Sequence, residues 1–351
     1  MEVDLPYTLE SIAELPGHQD RAWDISWNPT KPLLATCSAD RTVRLYNYSN
    51  PPDATVPTFS LHTSIPTGHT KTVRSVAWSP NGVSLATGSF DSNIGVWQRE
   101  GAEDDEEGDW ECACMLEGHE TECKSVAWSP EGNLLASCSR DKTVWVWEAL
   151  PDSDFECMGV LMEHTQDVKC VAWHPKEDIL ASASYDDTIK LYIDDPQEDW
   201  FCFATLSGHT STVWSLAWSP DGRYIASASD DCTIRLWKRV QEHKWECVHV
   251  IKDAHSRTIY TVSWGPGDGT GLGRLASAGG DGRINVYEFK DEENTDDKSP
   301  PRCELIARFE NAHGVADVNA VSWCPREGHR DLLASVGDDG VAKVWQIKRA
   351  P

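Results

Sequence analysis

The stretch His119–Trp147, HETECKSVAWSPEGNLLASCSRDKTVWVW, decides the fold. Gly118 precedes it, and an apolar segment then runs to Trp128. A turn at Pro130-Glu131-Gly132 sends the chain back through a second apolar segment to Cys138. A second turn at Arg140-Asp141-Lys142 leads into Thr143-Val-Trp-Val-Trp147. Alternating β-branched and aromatic residues read as strands. Pro, Gly and Asp between them read as turns, because they suit the bent backbone there. The stretch is therefore three antiparallel strands, each awaiting a neighbour to cover it.

The same pattern recurs along the chain. Seven histidines open the units: His18, His69, His119, His164, His209, His255 and His313. Each apolar strand that follows ends on a tryptophan: Trp27, Trp78, Trp128, Trp173, Trp218, Trp264 and Trp323. Successive tryptophans are 51, 50, 45, 45, 46 and 59 residues apart. Seven aspartates occupy the second turn: Asp40, Asp91, Asp141, Asp186, Asp231, Asp281 and Asp339. Six residues after each comes a closing aromatic: Tyr46, Trp97, Trp147, Tyr192, Trp237, Tyr287 or Trp345. The pattern resembles the WD40 repeat, in which four strands make one blade of a ring. The expected fold is all-β, a seven-bladed WD40 β-propeller in one domain over residues 1–351. The last repeat ends on its third strand, Ala342 to Gln346, and the segment Tyr7 to Glu14 has no blade of its own. It is expected to pair there and close the ring, leaving no open edge between the termini.

Composition narrows the tasks open to such a ring. The chain has 351 residues, a formal net charge of −26 and a pI near 4.7. That balance argues against a non-specific nucleic-acid binder, which needs a basic face, and against an anionic membrane surface. The N-terminus carries no basic segment followed by an apolar run, and no stretch reaches the ~18 apolar residues of a membrane span. The expected location is the cytosol or nucleus, with the twelve cysteines as free thiols. Cys112, Cys157, Cys202 and Cys247 repeat one slot and Cys37 and Cys138 another, so both slots are read as small core residues. Acidic inserts at 100–109 and 291–301 are read as solvated surface loops.

Candidate chemistry divides into what repeats and what varies. His, Asp and the closing aromatic recur in every unit, as a structural device does and a single active site does not. WD repeats imply a bridge from the histidine to the turn aspartate and to a strand hydroxyl that reaches the closing indole. In the third unit these are His119, Asp141, Ser137 and Trp147. No hydrolase, phosphate-loop, dinucleotide or zinc-protease motif is present, so no enzyme, cofactor or metal site is expected. Two variable positions per unit face the top of the ring. One is four before the mid-unit tryptophan: Trp23, Arg74, Lys124, Lys169, Trp214, Tyr260 and Asn319. The other precedes the turn aspartate and includes Phe90, Arg140 and Tyr185. Aromatics and arginine at exposed positions are the material of binding hot spots. Arg74, Lys124, Arg140 and Lys169 fall in consecutive units, so a basic and aromatic patch is expected on one side of the channel.

Five strings carry a closer resemblance: Ser139-Arg-Asp-Lys-Thr-Val-Trp-Val-Trp147, His164-Thr-Gln-Asp-Val-Lys169, Ala181-Ser-Ala-Ser-Tyr-Asp-Asp-Thr188, Gly208-His-Thr-Ser-Thr-Val-Trp-Ser215 and His255-Ser-Arg-Thr-Ile-Tyr260. They resemble the propeller family of cytosolic iron–sulfur protein assembly. That resemblance implies a non-catalytic adapter of a targeting complex. Its implied partners are a MIP18-family targeting subunit, a HEAT-repeat scaffold subunit, an iron-only hydrogenase-like cluster carrier and apo iron–sulfur client proteins that receive [4Fe–4S] clusters. It also implies a top-face binding role for Arg140. Animal members of the family carry Leu-Tyr-Arg, similar to a co-chaperone docking motif, where this chain has Leu191-Tyr192-Ile193. The alternative reading is a peptide or histone-tail reader with Phe90, Tyr185 and Tyr260 as walls.

Overall fold

A computed structural model of the protein describes residues 5–51, 56–99, 109–151, 154–195, 199–269, 271–290 and 300–350. Residues 100–108 and 291–299, most of the two acidic inserts, lie outside the described residues. The described chain forms 28 strands in seven four-stranded antiparallel sheets, with no helix among the described residues. The seven-bladed propeller expected from the repeats is the architecture observed.

Blade 3 illustrates the layout: inner strand Cys123–Trp128, then Leu134–Ser139, Val144–Ala149 and outer strand Phe155–Leu161. The second strands, such as Leu134–Ser139 and Ile179–Ser184, are buried at every position. Neighbouring blades cover both of their faces, so these strands read as unbroken runs of apolar and small residues. The hydrophobic core accordingly lies between blades. One cluster joins Leu33, Ala35 and Val43 of blade 1 to Val73, Val76 and Trp78 of blade 2. Another joins Val96 and Leu116 of blade 2 to Val126 and Leu135 of blade 3.

Two sets of polar contacts stitch the blades together. In blades 1 to 5 the indole N–H of the mid-unit tryptophan donates to the inner strand of the preceding blade, as from Trp78 to the Ser26 carbonyl at 3.2 Å, Trp173 to Ala127 at 3.0 Å and Trp218 to Ala172 at 3.1 Å, whereas Trp264 donates to Leu272 of its own blade. Trp27 crosses the closure, reaching the Ser322 carbonyl of blade 7 at 2.9 Å. Nearer the axis, an inner-strand oxygen accepts a backbone N–H from the next blade. Asp24 accepts from Val76, Ser75 from Val126, Ser125 from Val171, Ser215 from Val262 and Thr261 from Val321, at 3.0 to 3.4 Å. Blade 7 carries Ala320 at this place and offers no acceptor to blade 1. There the second oxygen of Asp24 takes the Ile25 N–H at 2.8 Å, so the one carboxylate in the series serves three donors, the Ser75 hydroxyl at 3.0 Å included. Burial pushes the Asp24 pKa up, against these hydrogen bonds and the nearby Arg74 charge.

The ring closes as expected. Strand Tyr7–Leu15 pairs antiparallel with Ala342–Arg349 as the fourth strand of blade 7, from Tyr7 opposite Arg349 to Leu15 opposite Ala342. Leu9 and Leu15 are buried in the joint.

The cysteine slots split. Cys37 and Cys138, on second strands, are fully buried. Cys112, Cys157 and Cys247 are exposed and Cys202 is half-buried, which corrects the expectation of a core slot. They sit on outer strands opposite the closing aromatics Trp97, Trp147, Trp237 and Tyr192. An outer strand has a neighbour on one edge only, and the bulges found there aim the thiols away from the core.

Candidate functional site

The repeated trio forms a scaffold beneath the top face. In blade 3 the Trp147 indole donates to Ser137 Oγ at 3.0 Å, Ser137 Oγ lies 2.8 Å from His119 Nε2, and His119 Nδ1 donates to Asp141 Oδ2 at 2.9 Å. Asp141 also accepts from the backbone N–H groups of Glu120 and Thr143 and from the Thr143 hydroxyl. These bonds hold the following residue, Lys142, in the left-handed region at φ 77°, normally costly for a residue with a Cβ. The histidine–aspartate contact is present in all seven blades. Where the closing residue is Tyr192, the Ser182 hydroxyl meets its phenol oxygen at 3.3 Å instead. In blade 6, Asn285 stands beside His255 Nε2 at 3.2 Å.

The turn aspartates titrate low. Burial alone raises the Asp141 pKa, but His119 and Thr143 more than reverse this and hold it well below the ordinary 3.8. The balance is the same at Asp40, Asp91, Asp186, Asp231 and Asp339, and it holds Asp281 at about 2. A carboxylate with a lowered folded pKa stabilises the fold above its unfolded value. That stability is lost as pH falls through the folded value. The protein is therefore expected to lose stability steeply from about pH 4 down to pH 2. Asp141→Asn should flatten that limb in urea titrations read by tryptophan fluorescence; an acid limb unchanged by the substitution counts against this assignment.

Above this scaffold, at the mouth of the central channel, lies a cavity of about 260 Å³. Trp23, Arg74, Lys124, Lys169, Trp214 and Tyr260 all line it, together with Phe90 and Asn319. Each cation lies over an aromatic face: Arg74 over Trp23 at 4.9 Å, Lys124 over Phe90 at 4.1 Å, and Lys169 over Trp214 at 5.0 Å and Tyr185 at 5.2 Å. Trp214 meets Tyr260 edge-to-face at 5.4 Å. Arg140 and Tyr185 stand outside the lining, on the rim, and both are more than half or about half exposed. Glu122 connects the two levels. It pairs with Lys124 at 2.5 Å and with Arg140 at 3.5 Å. Burial pushes the Lys124 pKa down, Glu122 opposes this, and the neighbouring Lys169 and Arg74 charges add to it.

The structure adds a ring of residues absent from the sequence-based set. Glu122, Asp167, Arg21 and Asp317 all sit six positions before their mid-unit tryptophan. Asp167 pairs with Lys169 at 3.3 Å. On the opposite wall Asp338 pairs with Arg21 at 3.4 Å and accepts from Asn319, while Asp317 pairs with Arg257 at 3.7 Å. The available sequence cue was the repeat itself: these residues share one slot, two before the chosen positions and just ahead of the inner strand. The cavity mouth is thus basic toward blades 2 to 4, while toward blade 7 the acids Asp317 and Asp338 are matched by Arg257 and Arg21. The Leu191-Tyr192 pair is fully buried in blade 4, so these side chains are packed in the core rather than displayed.

Comparison with known proteins fits this architecture. The family profile "WD domain, G-beta repeat" matches residues 9–47, 59–98, 110–148, 155–192, 200–238, 245–288 and 303–346. Each match starts on or next to an outer strand and ends in the third strand of the following blade, the offset that lets the N-terminal strand close the ring. The chain is 47% identical to the probable cytosolic iron-sulfur protein assembly protein 1 of Mycosarcoma maydis, covering 97% of this chain and 93% of the relative. It is 51% identical to Protein CIA1 of Arabidopsis thaliana, covering 98% and 97%. Identity to the probable cytosolic iron-sulfur protein assembly protein 1 of Cryptococcus neoformans is 42%, covering 97% and 99%. With its seven repeats, its closed seven-bladed ring and these near full-length relatives, the chain belongs to the WD40-repeat family of cytosolic iron–sulfur protein assembly proteins.

Proposed function

We propose that the protein is a non-catalytic adapter of cytosolic iron–sulfur protein assembly, working in the cytosol and nucleus. The observation that carries this reading is the pair of relatives, 47% and 51% identical over nearly the whole chain, whose names place them in that process or give the CIA1 designation. The adapter docks a MIP18-family targeting subunit, a HEAT-repeat scaffold and an iron-only hydrogenase-like carrier, so that [4Fe–4S] clusters pass as cargo to apo-protein clients. A rigid ring suits this work, because separate blade faces hold several partners in fixed relation. The top mouth is assigned to client or carrier docking through Arg140, Lys124, Arg74 and Lys169, with Tyr185, Trp214, Tyr260 and Trp23 as aromatic contacts.

Arg140 tests the assignment. Its side chain is 58% exposed and its ion pair to Glu122 is a long one at 3.5 Å, so a substitution here is expected to leave the fold intact. Loss of a binding hot spot costs at least about 2 kcal/mol, and reversing its charge adds repulsion. Arg140→Glu should keep the wild-type melting temperature and lose client or carrier proteins from affinity purifications. Retention of every partner by the folded variant would remove the top face from the docking role. Recovery of histone tails or short peptides in place of iron–sulfur proteins would favour a peptide reader.

A further inference from the structure

Arg74, Lys124 and Lys169 come from three consecutive blades and share one cavity wall. Lys124 and Lys169 are only 14% and 11% exposed. Three carboxylates stand near these three cations and Arg140: Glu122, which serves both Lys124 and Arg140, Asp167 beside Lys169, and the buried Asp24 near Arg74, itself engaged by hydrogen bonds from Val76, Ser75 and Ile25. Arg74 forms no ion pair among the described residues; its guanidinium lies on the Trp23 face. The flanking Trp23 and Trp214 also keep buried indole N–H groups without acceptors. Crowding like charges into a desolvated pocket is unfavourable unless a counter-charge enters it. The protein carries a net charge of −26, so a basic wall here cannot be explained as general surface charge. Opposite, Asp317 and Asp338 are paired with Arg257 and Arg21, so that wall is balanced in charge while the excess of cations lies on the side of blades 2 to 4.

We infer that this wall is a binding site for a compact free oxyanion of the phosphate or sulfate class, held between Arg74, Lys124 and Lys169. Ammonium and guanidinium groups converging from three blades can each donate to a different oxygen. The site lies deeper than Arg140 and needs no docked protein.

Calorimetric titration and thermal melting of the full chain with sodium phosphate and sodium sulfate test this, against sodium chloride at matched ionic strength. A saturable response to phosphate or sulfate beyond that of chloride is expected. Lys124→Gln/Lys169→Gln should weaken it at least tenfold. If that double variant melts early, Arg74→Gln is read in its place, with the same tenfold loss expected. Equal responses to phosphate, sulfate and chloride overturn the inference, as does binding that survives these substitutions. A parallel succinate titration separates carboxylates: a succinate response without a phosphate or sulfate response also overturns it. Partner capture by Arg140→Glu, run in phosphate-free buffer, reports on the docking reading separately.

Discussion

Removal of residues 1–15 is expected to unfold the ring at much lower denaturant than the intact chain tolerates. Strand Tyr7–Leu15 is the fourth strand of blade 7, contributed from the opposite end of the chain. Its loss exposes the edge of Ala342–Arg349 and the core that Leu9 and Leu15 cover. Burying a leucine stabilises by about 1.5–3 kcal/mol, so these two side chains alone contribute about 3–6 kcal/mol. The surface pairs Glu14–Lys343 and Glu10–Lys348 add little, because exposed ion pairs are worth about 0–1 kcal/mol each. A freed edge strand is also a template for aggregation. Urea unfolding and gel filtration of the truncated chain should show a lower midpoint and oligomers. An unchanged midpoint would mean that the joint between the termini contributes nothing to stability.

His119→Ala is expected to destabilise the protein by about 3–5 kcal/mol. The imidazole is buried and its two nitrogens engage Ser137 and Asp141. Truncation leaves a buried carboxylate short of a partner and Ser137 with one contact fewer. Orphaned buried polar groups cost about 1–3 kcal/mol each, and more when charged. A cavity beside Trp145, whose ring lies 5.5 Å from the imidazole, adds to the loss. Adding Asp141→Asn to His119→Ala should cost less than the two single effects summed, since both act on one network. The variant should bind partners in proportion to its folded fraction. Selective loss of binding at wild-type stability would assign His119 a direct role and contradict the scaffold reading.

Legibility differed by the kind of residue. His119, Asp141, Ser137 and Trp147 were readable because each performs the same local task in a repeated unit, and repetition marks a shared structural need. The cavity residues Arg74, Lys124, Lys169, Trp23, Trp214 and Tyr260 were readable as positions, because each holds the same slot in its unit; in the structure each is the unpaired residue of an inner-strand bulge, a device that re-aims a side chain. Their company was not. Glu122, Asp167, Arg21 and Asp317 look like ordinary turn-side charges in the sequence, and only the ring brings them to the same mouth. The cysteine slot failed for a related reason. A repeating small residue implies a shared environment, but alternation on an edge strand does not say which face the neighbouring blade covers.

The sequence by itself determined the number of blades, the strand order within each and the closure through the N-terminus. These follow from local turn chemistry and from periodicity, which are encoded within about fifty residues at a time. Only the tertiary structure decided how the blades are joined: the tryptophan bonds to the preceding blade, the series of inner-strand acceptors, and the three donors gathered by Asp24 beside Ala320, which offers no acceptor. It alone decided that the paired charges Asp338–Arg21 and Asp317–Arg257 stand opposite the basic wall. These contacts link residues roughly fifty to three hundred positions apart, and closing the ring brings them within hydrogen-bond distance.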